Sequence, residues 1–282
     1  MEVIREMFAI TFAQFLVGSV GLLALIPFQV LGRGFFKTCA WIFAVLVLIH
    51  WWIAPRPAAY DGILSLLGTP LWSTWKGRTF GAMSGFVILT LVYLISLYRS
   101  REGVTKAVLG VAALVGIFSV ISDSIAVREA GMTVFQARLL PVNFLLSTLA
   151  LGTVFTGMLL GHYYLVKSDL PLDPLWRFTW LLLAVLLAQG AALLTLVLKE
   201  FTPEQIQIVW GENVFLTRWG LEFWGRILVG LAGTFIVALV IAISLRMRAT
   251  RTATGFFYIA IITVLVGEFM SRNLYRITHL PI

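Results

Sequence analysis

Gln14, His50, Arg78 and Asp123 stand near the same end of the first four apolar runs of this chain. Ionisable groups are costly in hydrocarbon, so inside an apolar run they mark a binding site, a proton route or a packed pair. If the four runs form one bundle, the four side chains reach a common level near one membrane interface. That level suits a quinone headgroup, whose oxygens need hydrogen bonds and protonatable neighbours while its isoprenoid tail needs lipid. A histidine or carboxylate there can exchange the accompanying proton. Structural roles compete at each position. His50 lies in Ile49-His50-Trp51-Trp52, where the aromatics read as an interface belt. Arg78 adjoins the small-residue face Gly77, Gly81 and Gly85 and can snorkel or contact phosphate. Asp123, between Ser122 and Ser124, can cap a helix end, and Gln14 can tie two helices together.

The second half of the chain places Glu268 and Arg272 four residues apart, on one face of the last run, where the pair can neutralise both charges during insertion. Arg276 and His279 lie beyond that run as interface anchors. His162 is predicted at the opposite end of its run from His50. A b-haem held by His50 and His162 would need both at one depth, so haem ligation is disfavoured. Cys39 is the single cysteine and cannot supply a thiolate metal site, an iron–sulfur cluster or an internal disulfide. Any cluster would belong to a partner. No phosphate loop, nucleophile elbow or paired-carboxylate arrangement is present, so substrate chemistry is expected on another subunit.

These groups must be carried by membrane spans. Of 282 residues, 60% are hydrophobic and 12% charged, about half the charged fraction of a soluble domain. The apolar runs predict helices near 8–31, 35–54, 79–98, 105–127, 142–166, 175–198, 220–245 and 251–272, each long enough for about 30 Å of hydrocarbon and without the alternation of a barrel wall. The expected fold is an all-α polytopic membrane protein of eight transmembrane helices. The segment from Pro55 to Lys76, with Pro57, Pro70, Trp72 and Trp75, reads as a re-entering or surface-lying connection. A second long connection runs from Phe201 to Trp219 and contains Glu204 and Glu212.

Gly77, Arg78, Gly85, Leu91, Ser96 and Leu97 recur 148 positions later as Gly225, Arg226, Gly233, Leu239, Ser244 and Leu245. The recurrence predicts two parallel four-helix units, residues 1–130 and 131–282. The net charge of +8 would raise nucleic acid in a soluble domain, but the basic residues sit in turns between apolar runs, where anionic lipid and topology account for them. Arg33, Lys37, Arg99, Arg101, Lys106, Lys167, Arg177, Arg246, Arg248 and Arg251 share one side with only Glu102, Asp169 and Asp173. That side is expected to face the cytoplasm, and both termini and the two long connections to face outward. The residues before the first run lack the pattern of a cleaved signal peptide, so that run is expected to be retained.

Three segments resemble the membrane anchor subunits of the DMSO reductase family, distant relatives of polysulfide reductase-type membrane subunits. Phe8-Ala9-Ile10-Thr11-Phe12-Ala13-Gln14 followed by Gly18 is similar to the first helix of that family. Asn143-Phe144-Leu145-Leu146-Ser147-Thr148-Leu149-Ala150-Leu151-Gly152 is similar to its fifth, and Gly267-Glu268-Phe269-Met270-Ser271-Arg272-Asn273-Leu274-Tyr275 to its last. His50 falls near the histidine that ends the family's second helix, although Trp51 and Trp52 stand where the family has Leu-Gly. The resemblance implies a quinone-reactive anchor in a bacterial or archaeal cytoplasmic (inner) membrane. It would bind menaquinone or ubiquinone and hold an extrinsic iron–sulfur subunit and a molybdopterin-type catalytic subunit on the outward face, inactive alone. A secondary transporter for a small anion or lipid, with Arg78, Asp123, Glu268 and Arg272 along its pathway, and a b-haem subunit are the competing expectations. A purely structural membrane protein is another.

Overall fold

A computed structural model of the chain describes residues 2–54, 74–167, 170–211 and 217–282. Among the described residues are eight helices long and apolar enough to cross a membrane, and no strand. Each such helix satisfies its backbone internally, which hydrocarbon requires. This is an all-α polytopic membrane protein. Contacts divide the chain into two units, Met1–Arg128 and Glu129–Ile282.

The first unit comprises α1 (Glu2–Leu22, prolonged by a 3-10 turn at Leu23–Leu25), α2 (Phe28–Ile53), α3 (Trp75–Arg99) and α4 (Glu102–Ala126). The sequence carries the first helix to residue 31 and restarts at 35, but the chain already turns at Ile26 and Pro27. Proline lacks the N–H that would continue the ladder and pushes the residue before it into extended backbone, as Ile26 is. Gly32 then breaks α2 after its first turn with φ +71°, a conformation open to glycine. The kinked turn is held from inside by Phe28 stacked on Phe36, their centroids 3.8 Å apart. Residues 55–73, most of the first long connection, lie outside the described residues.

Gly116 sets the spacing of α1, α3 and α4. A Cβ there would fall 2.9 Å from Val17 Cγ1, 3.0 Å from Val17 Cγ2 and 3.0 Å from Phe86 Cδ2. Both methyls of a β-branched valine face the gap, so rotation replaces one clash with the other. Gly116→Ala should therefore lower stability by about 1 kcal/mol, because overpacking outweighs alanine's better helix propensity. Thermal unfolding in detergent would register it as a lower midpoint.

The second unit comprises α5 (Val134–Val166), α6 (Asp173–Glu200), the short α7 (Pro203–Trp210), α8 (Arg218–Arg246) and α9 (Thr250–Thr278). A capping box of Thr133 and Gln136 starts α5, and both side chains also reach Glu200, at 3.1 and 2.9 Å. The connection expected over Phe201–Trp219 contains α7, itself started by a Thr202–Gln205 capping box, while Glu212 and Asp169 lie outside the described residues. Close approaches at glycines pack this unit. A Cβ on Gly157 would sit 2.5 Å from Phe257, one on Gly161 2.7 Å from Thr254 Oγ1, and one on Gly230 2.6 Å from Gly267 Cα. Gly230 belongs to a π-helical stretch within α8, Arg226–Gly233, a widened geometry that recurs at functional positions. After α9 the chain turns at His279 (φ +58°), and Leu280 and Ile282 join a buried cluster with Leu196, Val209, Phe223 and Leu274. Asn143 donates to the Pro281 carbonyl and Ser271 to the Ile282 carbonyl, so backbone carbonyls as well as side chains fill this region.

The repeated segments agree at one end and differ at the other. Ser96 and Ser244 are both buried and donate back to their own helices, to Tyr93 and Val240 carbonyls at 2.7 and 2.8 Å. Arg78 is half-buried beside Trp75, whereas its counterpart Arg226 is buried.

Candidate functional site

A cavity of about 180 Å³ opens within the first unit, with walls from all four of its helices. The registers follow from the contact at Gly116. Ser119, Val120, Asp123, Ala126 and Val127 continue the same stripe of α4, and Glu6, Ala9, Ile10, Ala13 and Gln14 form the stripe of α1 that precedes Val17. Lys76, Thr79, Phe80 and Met83 supply the α3 wall, and His50 and Trp51 the last turn of α2. The close approach at Gly116 thus shuts the space on one side. Its open side is marked by the exposed lining residues Glu6, near the N-terminus of α1, and Lys76, near the start of α3.

Polar groups enter this mostly apolar space from all four helices. Gln14 and His50 are buried, 1% and 3% exposed, and Asp123 is half-buried. Among the described residues, His50 Nδ1 has no hydrogen-bond partner. A buried nitrogen left unsatisfied costs about 1–3 kcal/mol, so its position favours something that can bond to it. The Phe12 ring meets the imidazole edge-on at 5.6 Å, and Trp51 stacks on Phe80 at 5.1 Å, which fixes both rings at the cavity wall. Thr79 and Ser119 contribute hydroxyls. Thr79 Oγ1 donates to the Trp75 carbonyl at 3.1 Å, and Ser119 Oγ makes a long contact, 3.5 Å, to the Thr79 carbonyl. At the mouth Lys76 Nζ lies 4.0 Å from Glu6, both well exposed, so this pair contributes almost nothing to stability and can part readily.

A cavity of about 150 Å³ accommodates a benzene ring, so the space here takes one substituted six-membered ring. Apolar walls would exclude water around it, while His50, Gln14 and Asp123 could exchange hydrogen bonds or protons at its rim. Of the four residues singled out at the first level, Gln14, His50 and Asp123 line this space. Arg78 does not. Its guanidinium lies 4.3 Å from the Trp75 ring, a cation–π contact near the start of α3.

The second unit has a buried ionic cluster instead. Glu268 is fully buried and its Oε1 accepts from Arg226 Nη1 at 3.1 Å and from Gln189 Nε2 at 2.8 Å. Arg272, expected as the partner from the four-residue spacing, has Nη2 3.9 Å from Glu268 Oε2; that nitrogen donates to Ser147 Oγ at 2.9 Å, and the guanidinium covers Phe144 at 4.0 Å. The cavity beside this cluster, lined by Asn143, Ser147, Gln189, Arg226 and Ser271 among others, measures about 10 Å³, room for one water. Arg226 and Gln189 are the members that sequence reasoning missed. Gln189 was visible as a lone amide inside an apolar run, and Arg226 as the repeat of Arg78.

His162 is exposed on α5 in the second unit, and His50 is buried in the first. Cys39 is buried, and among the described residues no three His, Cys, Asp or Glu side chains gather as a metal site. No protein-family model matches the chain, and neither curated proteins nor solved structures give a match.

Proposed function

We propose that the protein is a quinone-reactive membrane subunit of an oxidoreductase complex, with the headgroup site in the cavity of the first unit. The observation that carries this reading is His50 Nδ1, without a partner among the described residues and buried at the wall of a ring-sized apolar cavity that Gln14 and Asp123 also line. A quinone bound there would carry electrons and protons between the membrane pool and a neighbouring redox protein. His50 bonds one headgroup oxygen and passes a proton at Nδ1. Asp123, half-buried and nearer water, relays that proton toward the mouth, where Glu6 and Lys76 stand. Phe80, Trp51 and Met83 line the space and keep water from the ring. Ubiquinone presents a single ring of the size the cavity holds, and menaquinone's fused two-ring headgroup would have to extend its second ring through the open side.

The resemblance of three helical segments to DMSO reductase anchors supports the same reading. It supplies the partners, an extrinsic iron–sulfur subunit and a molybdopterin-type catalytic subunit on the outward face of a bacterial or archaeal inner membrane. The excess of basic residues in the connections away from the cavity supports an outward cavity and outward termini.

A short-chain quinone analogue added to the purified protein should quench tryptophan fluorescence through Trp51. His50→Phe, which keeps a ring and removes the nitrogen, and Asp123→Asn should each weaken that binding by at least about tenfold. In the assembled complex the same variants should lose quinol turnover. Unchanged affinity in both, with the fold intact, would remove the basis of the proposal.

A further inference from the structure

At the end of the first unit remote from the cavity, five basic side chains meet around three helix ends. Arg33 and Lys37 begin α2 beyond the Gly32 break, Arg99 ends α3, Arg101 precedes α4 and Lys106 lies in its first turns. They form one group. Arg33 Nη2 donates to the Ser100 carbonyl at 3.2 Å, which ties the start of α2 to the α3–α4 turn. Lys37 Nζ lies 4.2 Å from the centroid of the Tyr98 ring, whose hydroxyl accepts from Trp41 Nε1 at 3.1 Å, and Lys106 Nζ lies 5.5 Å from the Phe28 centroid. Against these five cations stands Glu102, already paired with Lys106 at 2.6 Å. Arg99 and Arg101 are exposed and have no carboxylate within ion-pair reach among the described residues.

Helix rise puts Lys37 about 20 Å from His50 along α2, so the group sits near the opposite membrane interface from the cavity mouth. Surplus positive charge beside hydrocarbon draws its countercharge from outside the protein, and a membrane offers lipid phosphates at that depth. Exposed Trp41 and Tyr98 flank the cations on the side of the apolar spans, as the glycerol region and upper acyl chains of a lipid would require.

We infer that Arg33, Lys37, Arg99 and Arg101 form a binding site for the phosphate headgroup of an anionic membrane lipid. Lys37, Trp41 and Tyr98 receive the headgroup's inner edge, and Arg99 and Arg101 pair with its phosphate. The site is separate from the cavity and does not depend on the quinone reading.

The full chain is reconstituted into phosphatidylcholine vesicles in which brominated phosphatidylglycerol, or brominated phosphatidylcholine at the same fraction, is the quencher. Trp41 is isolated by difference from Trp41→Phe. Brominated phosphatidylglycerol should quench Trp41 at lower fractions than brominated phosphatidylcholine. The double variant Arg99→Gln, Arg101→Gln should reduce that preference by about thirty-fold, while Arg99→Lys, Arg101→Lys retains most of it. Both changes are at exposed side chains, and an unaltered thermal midpoint confirms that the fold is retained. Equal quenching by the two lipids, or a preference that survives the glutamine pair, overturns the site. Displacement of the lipid by inorganic phosphate would assign the cluster to a soluble anion and overturn the lipid assignment.

Discussion

Glu268→Gln should destabilise the second unit by about 3–5 kcal/mol, the largest stability effect expected of a single change in this protein. The substitution keeps the shape of the side chain and removes the charge that Arg226 at 3.1 Å and Arg272 at 3.9 Å share. Both guanidiniums are then left buried beside a neutral amide. A lost interhelical hydrogen bond in a membrane typically costs only about 0.6 kcal/mol, so a loss above about 2 kcal/mol distinguishes uncompensated charge from a missing hydrogen bond. Reversible unfolding in mixed detergent and denaturant measures it. A double-mutant cycle with Arg226→Met separates the α8–α9 contact from the rest, because Arg226 stripped of Glu268 and Glu268 stripped of Arg226 are each costly while removal of both is less so. A Glu268→Gln protein as stable as the parent would mean that the cluster is already balanced without its carboxylate.

Ala13→Phe should abolish binding of a quinone analogue, a loss of more than about a hundredfold, with the fold retained. Ala13 faces the cavity from α1, one residue before Gln14 and one turn before the Val17 contact with Gly116. A benzyl group occupies the space of one six-membered ring, and a cavity of about 180 Å³ holds little more. The added ring meets apolar walls in a space already present, so it should cost little and can gain buried contact. This separates the change from His50→Phe, which removes one bonding atom and leaves room for the ligand. If Ala13→Phe binds the analogue as the parent does, ligand association takes place on the outer surface of the protein. If Ala13→Phe blocks binding and His50→Phe does not, the cavity is the site but the imidazole is a bystander.

The membrane-spanning helices were legible because length and apolar content are properties of a segment by itself. Each of the eight runs overlaps a spanning helix; α5 begins at Val134, eight residues before its run and through Pro141, and the first boundary differs where Pro27 and Gly32 punctuate the chain. Pro27 was inside the first predicted helix even though proline cannot continue the ladder and Gly32 permits the second break. Much of the cavity stripe can also be seen in retrospect. On α1, Glu6, Ala9, Ile10, Ala13 and Gln14 recur at helical spacing, and on α4 so do Ser119, Asp123 and Ala126. Arg78, at a similar level along its helix, turns instead to Trp75, which no spacing rule on α3 announces.

Glu268 shows the same division from the other side. Its position in an apolar run declared a costly buried charge, and Arg272 four residues on was the visible partner. The nearer partner is Arg226, 42 residues away in sequence and brought inward by a π-helical stretch whose Gly230 packs against Gly267. Sequence alone determined that this chain is a bundle of apolar helices carrying a few expensive polar groups, since partition into hydrocarbon sums over local residues. Tertiary structure decided which of those groups meet, which space stays open and which charge answers which, because these depend on how each helix is rotated and how closely it approaches its neighbour. At Gly116, Gly230 and Gly267 that approach is set by side chains that are absent.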